Sequence, residues 1–313
     1  MTFQVENDIK IRFSRRRGAA INKAVSYLEV LKPLPSVLLA FIGVGAAVVA
    51  SPAELSARLY LIFIIILLAA AGANGLTNYL DRHIDARMDR TRHRVLPSGR
   101  ISPPWKVLPL VIGLIAVGLG LSWWLHPFVF LADLTGILAA ATWRKKVTCV
   151  YPQGLVASGA PVLMGWFAVR QDLGWELLML LVMVGLWLPL HVWSVMITHR
   201  DDYRQAGLGY FPMSREVKDS VRVLFAFTVA LYAASVAFYF VGDFGWLYLA
   251  AAGLLGAVAV LAGARLVISR ATADAWRLYR LSAFPYLGVI FLAMSLFNCI
   301  VGKENWFNKK LDS

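Results

Sequence analysis

The chain has 313 residues, 59% of them hydrophobic, with a mean hydropathy of +0.65. Soluble domains hold roughly 45–50% apolar residues, so the composition excludes a soluble globular protein and predicts a polytopic membrane protein. The net charge of +13 would suit a nucleic-acid binder, but membrane topology accounts for it better.

Residues 1–33 are expected to form a cytoplasmic basic segment. No apolar run follows the first charges closely enough to suggest a cleaved signal peptide. Ile21, Ala24, Val25, Leu28 and Leu31 recur at helical spacing with Lys23 on the opposite face, which predicts an interfacial amphipathic helix. The run Arg15–Arg17 ahead of it suits anionic lipid headgroups.

Residues 34–301 carry nine apolar segments, at about 34–50, 59–80, 107–125, 127–142, 154–169, 176–198, 221–241, 245–264 and 282–301. Each approaches the roughly 20 residues that cross a bilayer, the fourth and fifth being shortest. The expected fold class is therefore an all-α polytopic membrane protein of about nine transmembrane helices, with residues 302–313 as a short external tail. Trp143, Trp166, Trp187 and Trp193 are expected as belt or packing aromatics. Cys149 and Cys299 fall on opposite sides of this topology, which predicts no disulfide.

Nine crossings place 26 of the 31 Lys and Arg residues on the N-terminal side. The positive-inside rule then puts the N-terminus in the cytoplasm and the C-terminus outside.

The second span ends in "NYLDRHIDARMDRTRHR", residues 78–94. Asn74, Asn78, Asp81, Asp85 and Asp89 lie within about 80° of one another on a helix. They form a polar stripe running from inside the span toward the cytoplasm. An ordinary amphipathic helix end, with acids paired to Arg82, Arg87 or Arg90, is one reading. The two asparagines argue against it, because polar groups at membrane depth usually face a cavity or a partner. Carboxylates at i and i+4 suit Mg²⁺, which takes one or two of them and completes its shell with water and phosphate oxygens. Arg90, Arg92, Arg94 and Arg100 could clamp the same phosphates. The stripe is thus a candidate site for a metal-bound diphosphate whose lipid tail stays in the hydrocarbon.

A second cluster, "HVWSVMITHRDDYRQAG" at 191–207, closes the sixth span. His191, Thr198 and Asp202 share a face, while Asp201 points about 100° away. One strong carboxylate is expected here. His191 is either hydrogen-bonded to a neighbouring helix or in contact with substrate, including coordination of an iron. The loop "TWRKKVTCVYP" adds Arg144, Lys145 and Lys146 on the same side, as a topogenic run or an anion contact.

These residues resemble the UbiA superfamily of intramembrane prenyltransferases, and within it the protohaem IX farnesyltransferase (haem O synthase) branch. That branch shows D-x-x-I-D-x-x-M-x-R-T-x-x-R-x-L-P-x-G. Asp81, Ile84, Asp85, Met88, Arg90, Thr91, Arg94, Leu96, Pro97 and Gly99 match it in register. "YLEVLKP", "APVLMGW" and the H-x-x-A…DY-x-x-A-G element (His191, Asp202, Tyr203, Ala206, Gly207) agree more loosely. Thr198 stands where the wider superfamily has the first acid of a second motif, and the haem branch usually lacks that acid too. Thr77, His83, His199 and "LGYFPMS" are departures.

The resemblance implies nine helices around a central cavity in the inner (plasma) membrane. It also implies transfer of a farnesyl group from farnesyl diphosphate to a vinyl group of haem B, giving haem O. On this resemblance Asp81, Asp85 and Asp202 are the catalytic and Mg²⁺-binding residues. Asn78, Arg90, Arg94, Lys145, Lys146 and Arg200 are diphosphate contacts, and Asn74 and His191 meet the haem, a substrate rather than a cofactor. Membrane lipids, and a haem A synthase or terminal oxidase assembly, are the other implied partners; nucleic acid is not. A UbiA-type enzyme with a quinone precursor or chlorophyll-like acceptor stays open. So does a cation-coupled transporter, although such proteins tend to hold their sites near the midplane within inverted repeats, and no repeat is visible.

Overall fold

The computed structural model describes residues 22–51, 57–142, 150–242, 244–283 and 285–295. Among them every regular element is helical. We label residues 22–30 α1, followed by α2 (Pro33–Ala50), α3 (Ala57–Asp85), a 3₁₀ turn (Pro104–Val107), α4 (Leu108–Leu125), α5 (Pro127–Thr142) and α6 (Gln153–Phe167). Then come α7 (Trp175–Thr198), the short α8 (Arg200–Gln205), α9 (Val217–Val241), α10 (Trp246–Ser269), α11 (Thr272–Ala283) and α12 (285–295). Prolines 33, 104 and 127 open their helical segments, where a missing N–H removes no helical bond.

The helices pack as two adjoining groups. In the first, α2 lies against α3 and α6, and α3, α4, α5 and α6 pack in succession. In the second, α7 lies against α9 and α11, and α9 against α10. Contacts of α7 with α6 and α2 join the groups. The closest approach is between α2 and α6. A Cβ on Gly165 would collide with the Gly43 carbonyl oxygen, and one on Gly43 would lie 2.7 Å from the Pro161 carbonyl oxygen. Without side chains at these positions, the two backbones touch.

Each expected span overlaps one of these helices. Seven stretches are long and apolar enough to cross a membrane on their own. The remaining two, α5 with 16 residues and α6 with 15, are shorter. The expected ninth span needs correction: its helical stretch begins at Thr272, not near 282, and residues 265–280 are not a loop. Asp274 explains this. It is buried, yet its carboxylate takes bonds from Ser269 Oγ and Arg277 Nη1, both at 2.6 Å, and from Arg265 Nε at 3.1 Å. With its charge met, a turn that hydropathy rejects continues as packed helix.

Of the two roles expected for the tryptophans, packing is the one the described residues show. Trp166, Trp187 and Trp193 are all buried, and Trp143 lies outside the described residues. Exposed aromatics cluster at the helix ends away from Asp85, at Tyr60, Trp123, Trp124, Trp175, Phe240 and Trp246, with Trp105 and Trp276 exposed nearer the Asp85 end. Such rings suit a membrane–water boundary. In α1, Val25 and Leu28 are exposed while Ser26 and Val30 face the protein. Arg15–Arg17, Cys149 and Cys299 lie outside the described residues.

Candidate active site

α3 ends at Asp85, and the chain then folds back on that residue. Asp85 is 2% exposed, and its Oδ2 accepts a 3.0 Å bond from Arg94 Nη1. The buried Thr91 hydroxyl donates to the Asp85 carbonyl at 2.9 Å. A buried carboxylate needs such a partner to stay ionised, and R-T-x-x-R supplies it from within one tight loop. Val95, Leu96, Ile101 and Val107 pin that loop to Val30 of α1. Gly99, at φ +75°, makes the turn that brings Arg100 back to Glu29, 2.6 Å away.

The second cluster grips the first. Asp202, on α8, receives the backbone N–H of Asp89 on Oδ1 at 2.7 Å and that of Arg90 on Oδ2 at 2.9 Å. Next to it, the hydroxyl of buried Tyr203 accepts a 3.1 Å bond from Arg90 Nη2, with the guanidinium 5.8 Å from the ring centroid. The Asp-Tyr pair therefore fixes both the path of the loop and the direction of Arg90. A polar pocket opens beside this latch, lined by Asp89, Arg90, His199, Arg200, Asp202 and Thr272. Burial, and secondarily Arg90, hold the His199 imidazole below its ordinary value of 6.5, against a smaller upward pull from Asp202. A second groove on the far side of the loop is lined by Lys32, Leu34, Asn78, Asp85, Arg94 and Arg100. Polar head and apolar edge meet in it.

The other expected site residues are distributed unevenly. The Asn78 amide donates to the Val30 carbonyl at 2.6 Å, tying α3 to α1 while still lining the second groove. Asn74 donates to Ser36 Oγ at 3.0 Å and lines a cavity between α2, α3, α5 and α6. His191 is not among the residues of that cavity. It lies on α7, in ring contact with both Trp187 and Tyr279. Asn74 and His191, both expected at the haem, thus lie in different surroundings. The Arg200 guanidinium donates to the carbonyls of Pro212, Met213 and Arg215, which stitches the 211–215 turn to α8 while the residue also lines the polar pocket. The Thr198 hydroxyl is satisfied by Ser194 O within its own helix. Lys145 and Lys146 lie outside the described residues.

No group of three or more His, Cys, Asp or Glu able to hold a metal occurs among the described residues. Asp81, Asp85 and Asp202 thus do not form one three-carboxylate metal set. Asp202 is held by peptide N–H groups and Asp85 by Arg94. What α3 does offer is a pair of carboxylates one turn apart, Asp85 being buried beside a cation. Two hard oxygen donors fit Mg²⁺, which commonly takes no more than two from protein and leaves the rest to water and phosphate.

Two features escaped the sequence reading. Asp133 is a lone carboxylate within apolar α5, 3% exposed and bonded to Ser122 Oγ of α4 at 3.0 Å; its charge inside the span was the available signal. Tyr279 carried no signal, because its helix was expected to start after it.

By architecture, the chain is a polytopic helical membrane protein with two polar clusters joined at one end. The solved structures it resembles have the same fold. A digeranylgeranylglyceryl phosphate synthase structure matches with a TM-score of 0.71 at 18% identity, covering 88% of this chain and 99% of that one. A UbiA homolog from Archaeoglobus fulgidus bound to GPP and Mg²⁺ matches at 0.61 and 14% identity, covering 86% and 99%. The chain belongs to the UbiA prenyltransferase family, whose model matches residues 37–296. Among curated proteins it is 36% identical over 279 residues to the protoheme IX farnesyltransferase of Desulforudis audaxviator (strain MP104C), covering 87% of each chain. Against the protoheme IX farnesyltransferase of Gloeobacter violaceus (strain ATCC 29082 / PCC 7421) it is 33% identical over 301 residues, 90% of this chain and 93% of the relative.

Proposed function

We propose that this protein transfers the farnesyl group of farnesyl diphosphate to a vinyl group of haem B, forming haem O and releasing diphosphate. The observation that carries the reading is near full-length identity of 31–36% to protoheme IX farnesyltransferases from bacteria and an archaeon. In the reaction the farnesyl C–O bond breaks and the diphosphate leaves with its electrons. The vinyl carbon bonds to the allylic cation, water adds to the neighbouring carbon, and a proton is released.

The residues fit roles in this sequence. Asp81 and Asp85 would hold Mg²⁺, whose charge, when bound, favours departure of the diphosphate. Arg94, steadied by Asp85, and Arg90, steadied by Tyr203, stabilise the negative charge that grows on the leaving group. Asp202 holds the loop on which both arginines sit. We assign Asn78, Lys145 and Lys146 to the same anion, and His191 to the haem. Packed apolar helices keep stray water from the cation. The basic side, which carries the site, faces the cytoplasm in this reading.

The test is direct. The purified protein in detergent, supplied with Mg²⁺, farnesyl diphosphate and haem B, is expected to yield a product with the mass of haem O. Prenylation of an aromatic quinone precursor without haem O would replace this reading with the other acceptor class.

A further inference from the structure

His191 is held in an aromatic stack assembled from two helices. Trp187 lies one turn before it on α7, with ring centroids 4.9 Å apart and planes 16° from parallel. Tyr279 of α11 is the second ring against it, 5.1 Å away and tilted by 35°. The stack continues to Trp276, 4.9 Å from Tyr279 at 28°, and Trp276 meets His199 edge-on at 6.0 Å beside the polar pocket. Its inner end is anchored, since Trp187 Nε1 donates to the Ser282 carbonyl at 2.6 Å. Both helices therefore contribute to one fixed ring plane.

Two flat neighbours restrict an imidazole in a specific way. They hinder rotation about its side-chain bonds, but ring contacts supply nothing to its nitrogens at the edge. His191 Nδ1 is indeed buried with no hydrogen-bond partner within the described protein. An unmet nitrogen in apolar surroundings is unfavourable, and a core histidine selected only for packing would be expected to find a partner. The residue as a whole retains partial exposure. The arrangement fixes the ring and leaves its edge chemistry for something the chain does not itself provide.

We infer that Tyr279, together with Trp187, is a positioning residue for the acceptor: the pair clamps His191 so that an imidazole nitrogen is presented to the iron of haem B in one orientation. This rests on the assignment of His191 to the haem. It makes α11 part of acceptor recognition, although none of the matched motif residues lies on it.

The experiment uses the full-length protein in detergent, titrated with haem B and followed by its visible spectrum. Tyr279→Leu is expected to shift the haem bands and weaken haem binding roughly two- to tenfold, the range set by loss of one aromatic pair. Tyr279→Phe keeps the ring and should match the unmodified protein. Affinity for farnesyl diphosphate, and for metal-free protoporphyrin, should stay unchanged in both. A purely structural role for Tyr279 would not separate haem from the metal-free ring. If His191→Ala shifts the spectrum and Tyr279→Leu does not, the clamp is wrong while the assignment of His191 stands. If His191→Ala leaves the spectrum unchanged, that assignment fails and the clamp fails with it. Where Tyr279→Leu does not fold, Trp187→Leu removes the other ring and is read by the same criteria.

Discussion

Asp85 and Asp202 are both carboxylates at helix ends, yet they do different work. Asp85 is buried against Arg94, so removing it strands a cation and also removes a proposed metal donor. Asp85→Ala and Asp81→Ala are each expected to abolish haem O formation while leaving haem binding largely intact, as read by product mass and haem titration. Equal turnover in either variant would remove that carboxylate from the metal site. Asp202→Ala leaves two peptide N–H groups, one exposed and one half-buried, without their acceptor, a net loss of about 0.5–1.5 kcal/mol for each bond. Its expected signature is faster proteolysis within residues 86–103 together with lost activity. His199 gives a pH effect of definite sign. Its folded-state value lies below the ordinary 6.5, so the unfolded chain binds the proton first. Stability contributed by this group is lost as pH falls below 6.5 and levels off beneath the folded value. His199→Gln should flatten the acid side of a thermal-midpoint profile measured between about pH 5 and pH 8.

At the scale of helices, the close approach of α2 and α6 is the most exacting contact. Gly165→Ala places a methyl group on a carbonyl oxygen that no side-chain rotation can move. Overpacking of this kind costs about 1–3 kcal/mol, and a lower thermal midpoint in detergent is the expected readout. This scale also separates what could be read from the sequence from what could not. The apolar spans and the stripe from Asn74 to Asp85 were legible, because hydropathy and a period near 3.6 residues are written in side chains. The start of α11 was not, because Asp274 makes a charged turn compatible with packing only through partners on α10 and on its own next turn. Tyr279 was lost with it. The carbonyl partners of Arg200 were hidden for a related reason: a cation near acids looks the same in sequence whether or not it also binds main chain, as it does here at three carbonyls. The partners of Asp202 were invisible, since peptide amides leave no mark in composition.

In the whole molecule, α1 to α6 supply the first cluster and α7 onward the second, so the candidate site is shared between two groups of helices. A ligand bound there should hold the groups together. Farnesyl diphosphate with Mg²⁺ is expected to raise the thermal midpoint of the purified protein, by an amount equivalent to about 2.7 kcal/mol at one hundred times its dissociation constant. Chelation of the metal should remove most of that rise. An equal rise in the presence of chelator would place diphosphate binding on the arginines alone.

Within the latch from α8, the Asp202 carboxylate takes hold of main chain at 89 and 90, while Tyr203 alone reaches a side group there. Amide hydrogens are common to every residue type but proline. The side chain at 89 can therefore change without loosening the Asp202 clasp between the halves, and Arg90 is free to serve the leaving group while its amide holds the loop. A proline at either position is the substitution that such change must avoid.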